Sequence, residues 1–238
     1  MGRNGWSWSA VTASCTLPPV PWRVRPPLWE SSPPVRATTP HALGLLDGDL
    51  GTRVDRVLDE PTAIDMISGG DRPAVTNVII GFPATVNERA NRMRMGAARY
   101  TVATLLEIPR MRPQPYRLVL DGEARDLHAA VVVVANTAYF GAGMAICPNA
   151  DPTDGLLDVC VVGDAGRVEL LRSFRLVNSG RHVDHPKVSM FRAGEVTVEG
   201  AGPIRADGEP LGALPVTLRP DRGALLVAGA SAHRAHRG

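Results

Sequence analysis

At 238 residues with 44% hydrophobic content, the chain is long enough to bury the core of one large domain or two small ones. Its 26 basic and 24 acidic residues leave a formal net charge of +2, which gives no electrostatic support for nucleic acid as a partner. Three widely spaced cysteines, Cys15, Cys147 and Cys160, suggest neither a disulfide framework nor a CxxC metal site, and no run approaches the roughly 20 apolar residues that cross a bilayer; the expected setting is the reducing cytoplasm.

Residues 1–41 carry Pro18, Pro19, Pro21, Pro26, Pro27, Pro33, Pro34 and Pro40, too dense for helix or ladder hydrogen bonds, so an irregular segment is expected there. The prolines within "VTASCTLPPVPW" also interrupt the apolar stretch that a signal peptide needs. From residue 42 to 229 the text reads as one folded domain, with a disordered tail expected over 230–238. "TNVIIGF" (Thr76 to Phe82) predicts a buried strand, and Pro83 suits the start of a helix. Val86, Ala90, Met93, Ala97 and Tyr100 recur at helical spacing, which predicts one amphipathic helix ending near Pro109.

"YRLVLDGEARDLHAAVVVVAN" predicts a hairpin turning at Asp121 and Gly122. "GLLDVCVVG", "EVTVEG", "LPVTLRP" and "GALLVAG" predict further strands, and a helix is expected over roughly Arg167 to Asn178. Many short strands separated by turn residues give the fold class: α+β, mainly an antiparallel β-sandwich with helical insertions.

Three clusters carry residues that packing alone does not ask for. "ANTAYFGAGM" (Ala135 to Met144) ends an apolar strand in Asn136 and the pair Gly141 and Gly143, which fits a tight turn or a close approach to a ligand. "CPNADPTDGLLDV" (Cys147 to Val159) crowds Asp151, Asp154 and Asp158 around one loop, as oxygen ligands for a cation such as Mg²⁺ or as a solvated acidic turn. "IRADGEPLG" (Ile204 to Gly212) sets Asp207 and Glu209 two residues apart. On one strand they would face the same way toward one metal or one hydroxyl; as Asp-Gly they would make a hairpin turn.

Taken in order with "AIDM", "NVIIGF", "RYTVATL" and "GRHVDHPKV", these clusters resemble the C-terminal domain of the diacylglycerol kinase and sphingosine kinase-like lipid kinases, the bacterial diacylglycerol kinase branch especially, from Leu43 to Gly229. The resemblance implies the lipid kinase and NAD kinase-like fold, with ATP as co-substrate and Mg²⁺ as cofactor. It makes Glu209 the catalytic base for a lipid hydroxyl and Asp207 its support. Asp154 would bind structural Mg²⁺ together with backbone carbonyls at Asp151 and Leu156, while Asp65 and Asn136 would be polar supports. Where relatives often read GFDA, this chain has Pro83 in "GFPA"; His182 and His185 match family histidines, with a structural role expected.

The family's nucleotide loops are not present as read. "SGGDRP" (Ser68 to Pro73) lacks the Gly-Thr of GGDGT and is expected to form a turn, and "GDLGT" (Gly48 to Thr52) lacks the Asn-Asp of PxGTxND. Read one base out of register, however, Ser32 to His41 can encode PAGTGND, then Ser, Thr, Pro or Ala, then AR, running into the in-frame "ALGL" of Ala42 to Leu45. Residues 1–41 are therefore expected to be the out-of-frame translation of a nucleotide-binding domain; this requires GTA at Val35 and GCA at Ala37, which sequencing the DNA decides. A membrane lipid and ATP are the expected partners and nucleic acid is not. The basic stretch from Asn87 to Arg117 suits a peripheral position on an anionic membrane, or a solvated face. Strand edges left bare would favour a homo-oligomer. The alternative function is a catalytically inactive β-domain that binds lipid or a partner.

Overall fold

In the computed structural model the described residues are 42–45, 47–93, 99–107, 111–140, 143–164, 176–177 and 179–230. All of them fall within the unit Val35–Gly238. The expected irregular segment 1–41, the tail from 231, Gly141 and most of the helix expected at 167–178 lie outside them.

Eleven strands among these residues form two sheets. They are β1 (Thr62–Ser68), β2 (Asn77–Gly81), β3 (Gln114–Leu120), β4 (Glu123–Ala129), β5 (Val131–Ala135), β6 (Leu157–Val162), β7 (Val188–Ala193), β8 (Val196–Gly200), β9 (Ile204–Ala206), β10 (Glu209–Pro210) and β11 (Val216–Val227). One sheet runs β1-β11-β8-β3-β4 and the other β10-β9-β2-β5-β6-β7. Every pairing is antiparallel. The helices are α1 (Leu50–Leu58), α2 (Phe82–Arg92) and α3 (Arg99–Glu107), with a 3₁₀ turn at Arg181–Asp184.

The sequence of the second sheet explains its place. The residues of β2, β5 and β6 are buried along their whole length, so both faces need cover. Val78, Ile80, Val132, Val134 and Val159 pack against Leu118, Val198 and Leu218 of the first sheet. Ile79, Val133, Cys160 and Val162 point the other way, onto Ala84 of α2 and onto Ile146, Cys147 and Val177. Burial of the two thiols pushes both up, Cys160 to about 12, so they act as small apolar groups. The outer strand β4, exposed along most of its length, carries alternating charge instead.

The hairpin expected at Asp121 and Gly122 joins β3 to β4, with positive φ at both residues (49° and 90°), as a type I′ turn demands. Four details differ from the sequence reading. The run after that turn splits at Ala130, where β4 ends in one sheet and β5 begins in the other. "LPVTLRP" and "GALLVAG" are two halves of the single strand β11, because Gly223 (φ 61°) bends the chain without breaking it. The one helix expected from Pro83 to Pro109 is two: Met93 turns to extended backbone and its N–H goes back to the Ala90 carbonyl. Helix α1 and strands β1 and β7 have no counterpart in the reading of single stretches.

Candidate functional site

The site forms where the turn between β9 and β10 meets the start of β2, the end of β5 and the part of β1 that faces a bulge in β11. Asp207 and Gly208 make that turn with φ of 47° and 85°, closing Ala206 against Glu209. Asp207 therefore does not share a strand face with Glu209, and the two-residue alternation that would aim both carboxylates at one point does not apply. Its carboxylate faces the chain just before β2 instead. Oδ2 accepts the N–H of Val75 at 2.6 Å, and Oδ1 accepts the N–H groups of Thr76 (3.0 Å) and Asn77 (3.1 Å) as well as the Thr76 hydroxyl. Three consecutive amides converging on one carboxylate make an anion-binding nest filled from within the chain.

Asn136 stands at the end of β5, 1% exposed, and ties this knot to the next. Its amide nitrogen donates to the carbonyls of Asp65 (2.7 Å) and Val75 (3.0 Å), and its own N–H reaches the Thr76 carbonyl at 2.9 Å. Its Oδ1 is buried without a partner. Asp65 lies in β1 opposite the bulge of β11, where the pairing skips from Ile64–Leu225 to Met66–Asp221 and leaves residues 222–224 facing it. Its side chain is buried: Oδ2 accepts Gly155 N–H at 2.8 Å, and Oδ1 accepts the N–H of Gly223, in the bulge, at 2.8 Å. Its own N–H donates to the Pro152 carbonyl at 2.6 Å. An unbroken hydrogen-bond chain thus runs from Asp207 through residues 75–77, Asn136 and Asp65 to the 152–155 loop.

Within that loop Asp154 accepts Leu156 N–H on Oδ1 (2.9 Å) and the Arg192 guanidinium on Oδ2. Asp151 closes its own turn by accepting both the N–H and the hydroxyl of Thr153, at 3.0 and 2.7 Å. Asp158, 3% exposed on β6, lies directly across from Arg192 of β7, whose Nε stands 3.6 Å from Oδ2. Burial pushes the Asp158 carboxyl up to about 6 against the pull of Arg192, and the charges of Asp154 and Asp151 push the same way.

Among the described residues no group of three or more His, Cys, Asp or Glu side chains is arranged to hold a metal ion. The expected Mg²⁺ set asks only for the Asp154 carboxylate and two backbone carbonyls, so that result does not bear on it. The chemistry of the set fits a hard cation in that every donor is oxygen, and such an ion would take the place of the Arg192 guanidinium on Asp154 Oδ2. Arg192 is the residue the sequence reading missed. Its only signal is the β6–β7 register, which no local motif reveals.

Glu209 is half-buried on β10, one residue past the turn. The turn before it is clamped, since the Gly208 carbonyl accepts Arg205 Nη1 (3.2 Å) and Asn91 Nδ2 of α2 (3.4 Å). His182 is 1% exposed with Nε2 3.0 Å from the Ile146 carbonyl, and burial lowers its basicity, which fits the structural role expected of it. "SGGDRP" forms a turn closed by the bridge of Ile67 with Ala74. "GDLGT" opens α1, with Asp49 as N-cap accepting Thr52 N–H at 2.8 Å. Neither holds the shape of a nucleotide loop.

The two packed antiparallel sheets define the fold as the β-sandwich of the NAD kinase-like class. Residues 76–229 match the family described as the YegS C-terminal NAD kinase beta sandwich-like domain, and the chain belongs to that family. Over 152 residues it is 43% identical to a diacylglycerol kinase of Mycobacterium tuberculosis, covering 62% of this chain and 49% of the relative. Over 126 residues it is 26% identical to a diacylglycerol kinase of Staphylococcus carnosus, covering 52% of this chain and 41% of that one. Among solved structures, a Bacillus anthracis protein superposes with TM-score 0.65 at 18% identity, over 82% of this chain and 65% of its own. A diacylglycerol kinase from the same organism gives 0.57 at 13% identity, over 80% and 62%. The chain spans about half the length of the curated relatives it matches.

Proposed function

We propose that this chain is the substrate-side half of a lipid kinase that moves the γ-phosphoryl group of ATP, with Mg²⁺, onto the hydroxyl of a diacylglycerol-like lipid. Glu209 is the general base. Its carboxylate takes the hydroxyl proton as the lipid oxygen bonds to the γ-phosphorus, and the bond from phosphorus to the bridging oxygen of ADP breaks in line. Asp207 acts by position: four hydrogen bonds to residues 75–77 hold the turn that sets Glu209 in place.

Asp154 and the carbonyls of Asp151 and Leu156 would hold Mg²⁺. When bound, the ion neutralises negative charge close to the site. Asp65 and Asn136 fasten that loop to the turn. The single observation that carries the reading is this continuous chain of hydrogen bonds from the Asp-Gly-Glu turn to the 151–156 loop, in a chain whose 43% identical relative is a diacylglycerol kinase.

ATP phosphates need a cradle of backbone N–H groups, and no such loop is legible in this sequence. The 238-residue chain by itself is therefore expected to be impaired. The test is transfer of labelled phosphate from ATP to diacylglycerol in mixed micelles. The chain as written is compared with a chimera in which the nucleotide-binding half of the mycobacterial relative replaces residues 1–41. Lipid phosphorylation by the chimera alone supports the reading. Binding of lipid by both chains with transfer by neither replaces it with the inactive lipid-binding domain.

A further inference from the structure

Two side chains hold the Gly208 carbonyl, and one of them does so at a cost to the fold. Ile204 and Ala206 of β9 pack into the core between the sheets, so Arg205 between them points to the opposite face. It stands half-buried across from Ile79 of β2, on the face that α2 covers. Its Nη1 donates to the Gly208 carbonyl at 3.2 Å, and Asn91 Nδ2 of α2 donates to the same oxygen at 3.4 Å. Arg205 Nε is buried without a partner, and among the described residues the guanidinium has no ion-pair partner. A permanently charged group with an unsatisfied buried N–H destabilises the chain that carries it.

Closing the hairpin does not ask for this arrangement. Gly208 supplies positive φ, and the Asp207 carboxylate already ties the turn to residues 75–77 through four hydrogen bonds. What the second attachment adds is the plane of one peptide. The Gly208 carbonyl and the Glu209 N–H belong to the same rigid unit, so donors on that oxygen set the direction in which the chain enters Glu209. Glu209 pairs with Ala206 and thus lies on the other face of the hairpin from Arg205. Arg205 therefore acts on it through the backbone.

From these observations we infer that Arg205 is a positioning residue for Glu209, and that with Asn91 it couples the aim of that carboxylate to helix α2. The inference rests on the functional reading above for the role of Glu209. A carboxylate that must meet a hydroxyl proton at hydrogen-bond distance needs its backbone fixed in this way, whereas one that only has to be present does not.

Arg205→Met keeps the aliphatic stem and removes the guanidinium. In the 238-residue chain, hydrogen exchange read by NMR should be about tenfold faster or more at the Glu209 amide. The amides of β2 and β5 should exchange as in the parent, and the melting temperature should be no lower. Asn91→Ala should speed the same amide; if it does not, the link to α2 falls. An unchanged Glu209 amide in Arg205→Met overturns the inference. So does a lower melting temperature with faster exchange throughout, which makes Arg205 an ordinary support of the fold.

Kinetics in the chimera separate this inference from the reading beneath it. Arg205→Met should lose about 10- to 100-fold in kcat for phosphate transfer with the KM for ATP unchanged. Arg205→Lys, which keeps a cationic donor, should recover part of that loss. Full turnover by Arg205→Met where Glu209→Gln is inactive overturns the inference alone. Full turnover by Glu209→Gln removes the functional reading instead, while the Glu209 amide still reads whether Arg205 holds the turn.

Discussion

Asp207→Asn isolates what the Asp207 carboxylate does. Asparagine tolerates the φ of 47° at this position, so the backbone is not the variable. With its carbonyl oxygen in the place of Oδ1, the variant keeps acceptors for Thr76 and Asn77, but its NH₂ group then faces the Val75 N–H that Oδ2 accepts at 2.6 Å. A charge-assisted hydrogen bond is lost and two donors oppose each other, which costs about 2–4 kcal/mol. For a chain of this size that corresponds to a fall of roughly 5–15 °C in melting temperature. Circular dichroism during heating, with urea titration for the free energy, reads it. A variant within about 0.5 kcal/mol of the parent would refute the claim that the nest around Asp207 holds the turn.

Asp65→Ala removes the acceptor for the N–H groups of Gly155 and Gly223 at once, and urea titration should show a loss of about 3–5 kcal/mol. His182 supplies a pH dependence whose sign follows from burial, which holds the imidazole below its ordinary value of 6.5. The folded chain binds that proton less readily than the unfolded chain, so the stability concerned is complete above about pH 6.5 and is lost as pH falls through the folded value. Stability measured from pH 7.5 down to 5 should fall less steeply in His182→Gln than in the parent.

The parts of the fold legible from sequence are those in which local chemistry and tertiary context agree. The all-apolar runs of β2, β5 and β6 and the Asp-Gly turn at 121–122 state their structure in their own residues. Pro83 marks the start of α2 for the same reason. Misreadings fall where an element depends on distant residues. Strand β11 looked like two because Gly223 carries positive φ inside it, while β1 pairs with it on both sides of that bend. Helix α1 is not legible because its apolar residues sit among charged ones and none of its residues is buried.

In the site, the sequence motif named Asp65, Asn136, Asp154, Asp207 and Glu209, but not how they connect. Asp207 reads as half of a carboxylate pair until the register of β9 and β10 places it in the turn. Arg192 emerges only when β6 and β7 align it with Asp158. The side chains that spacing groups together are thus not always the ones that geometry brings into contact.

The account rests on Glu209 as the base, and the turnover of Glu209→Gln in the chimera with the nucleotide-binding half measures that most directly. Phosphate transfer from ATP to diacylglycerol should fall by about 10²- to 10⁴-fold in kcat. The KM for ATP should stay near the parent value, because Glu209 is assigned to the lipid hydroxyl rather than the nucleotide. A variant that turns over within tenfold of the parent, in a chimera that is itself active, would contradict the assignment.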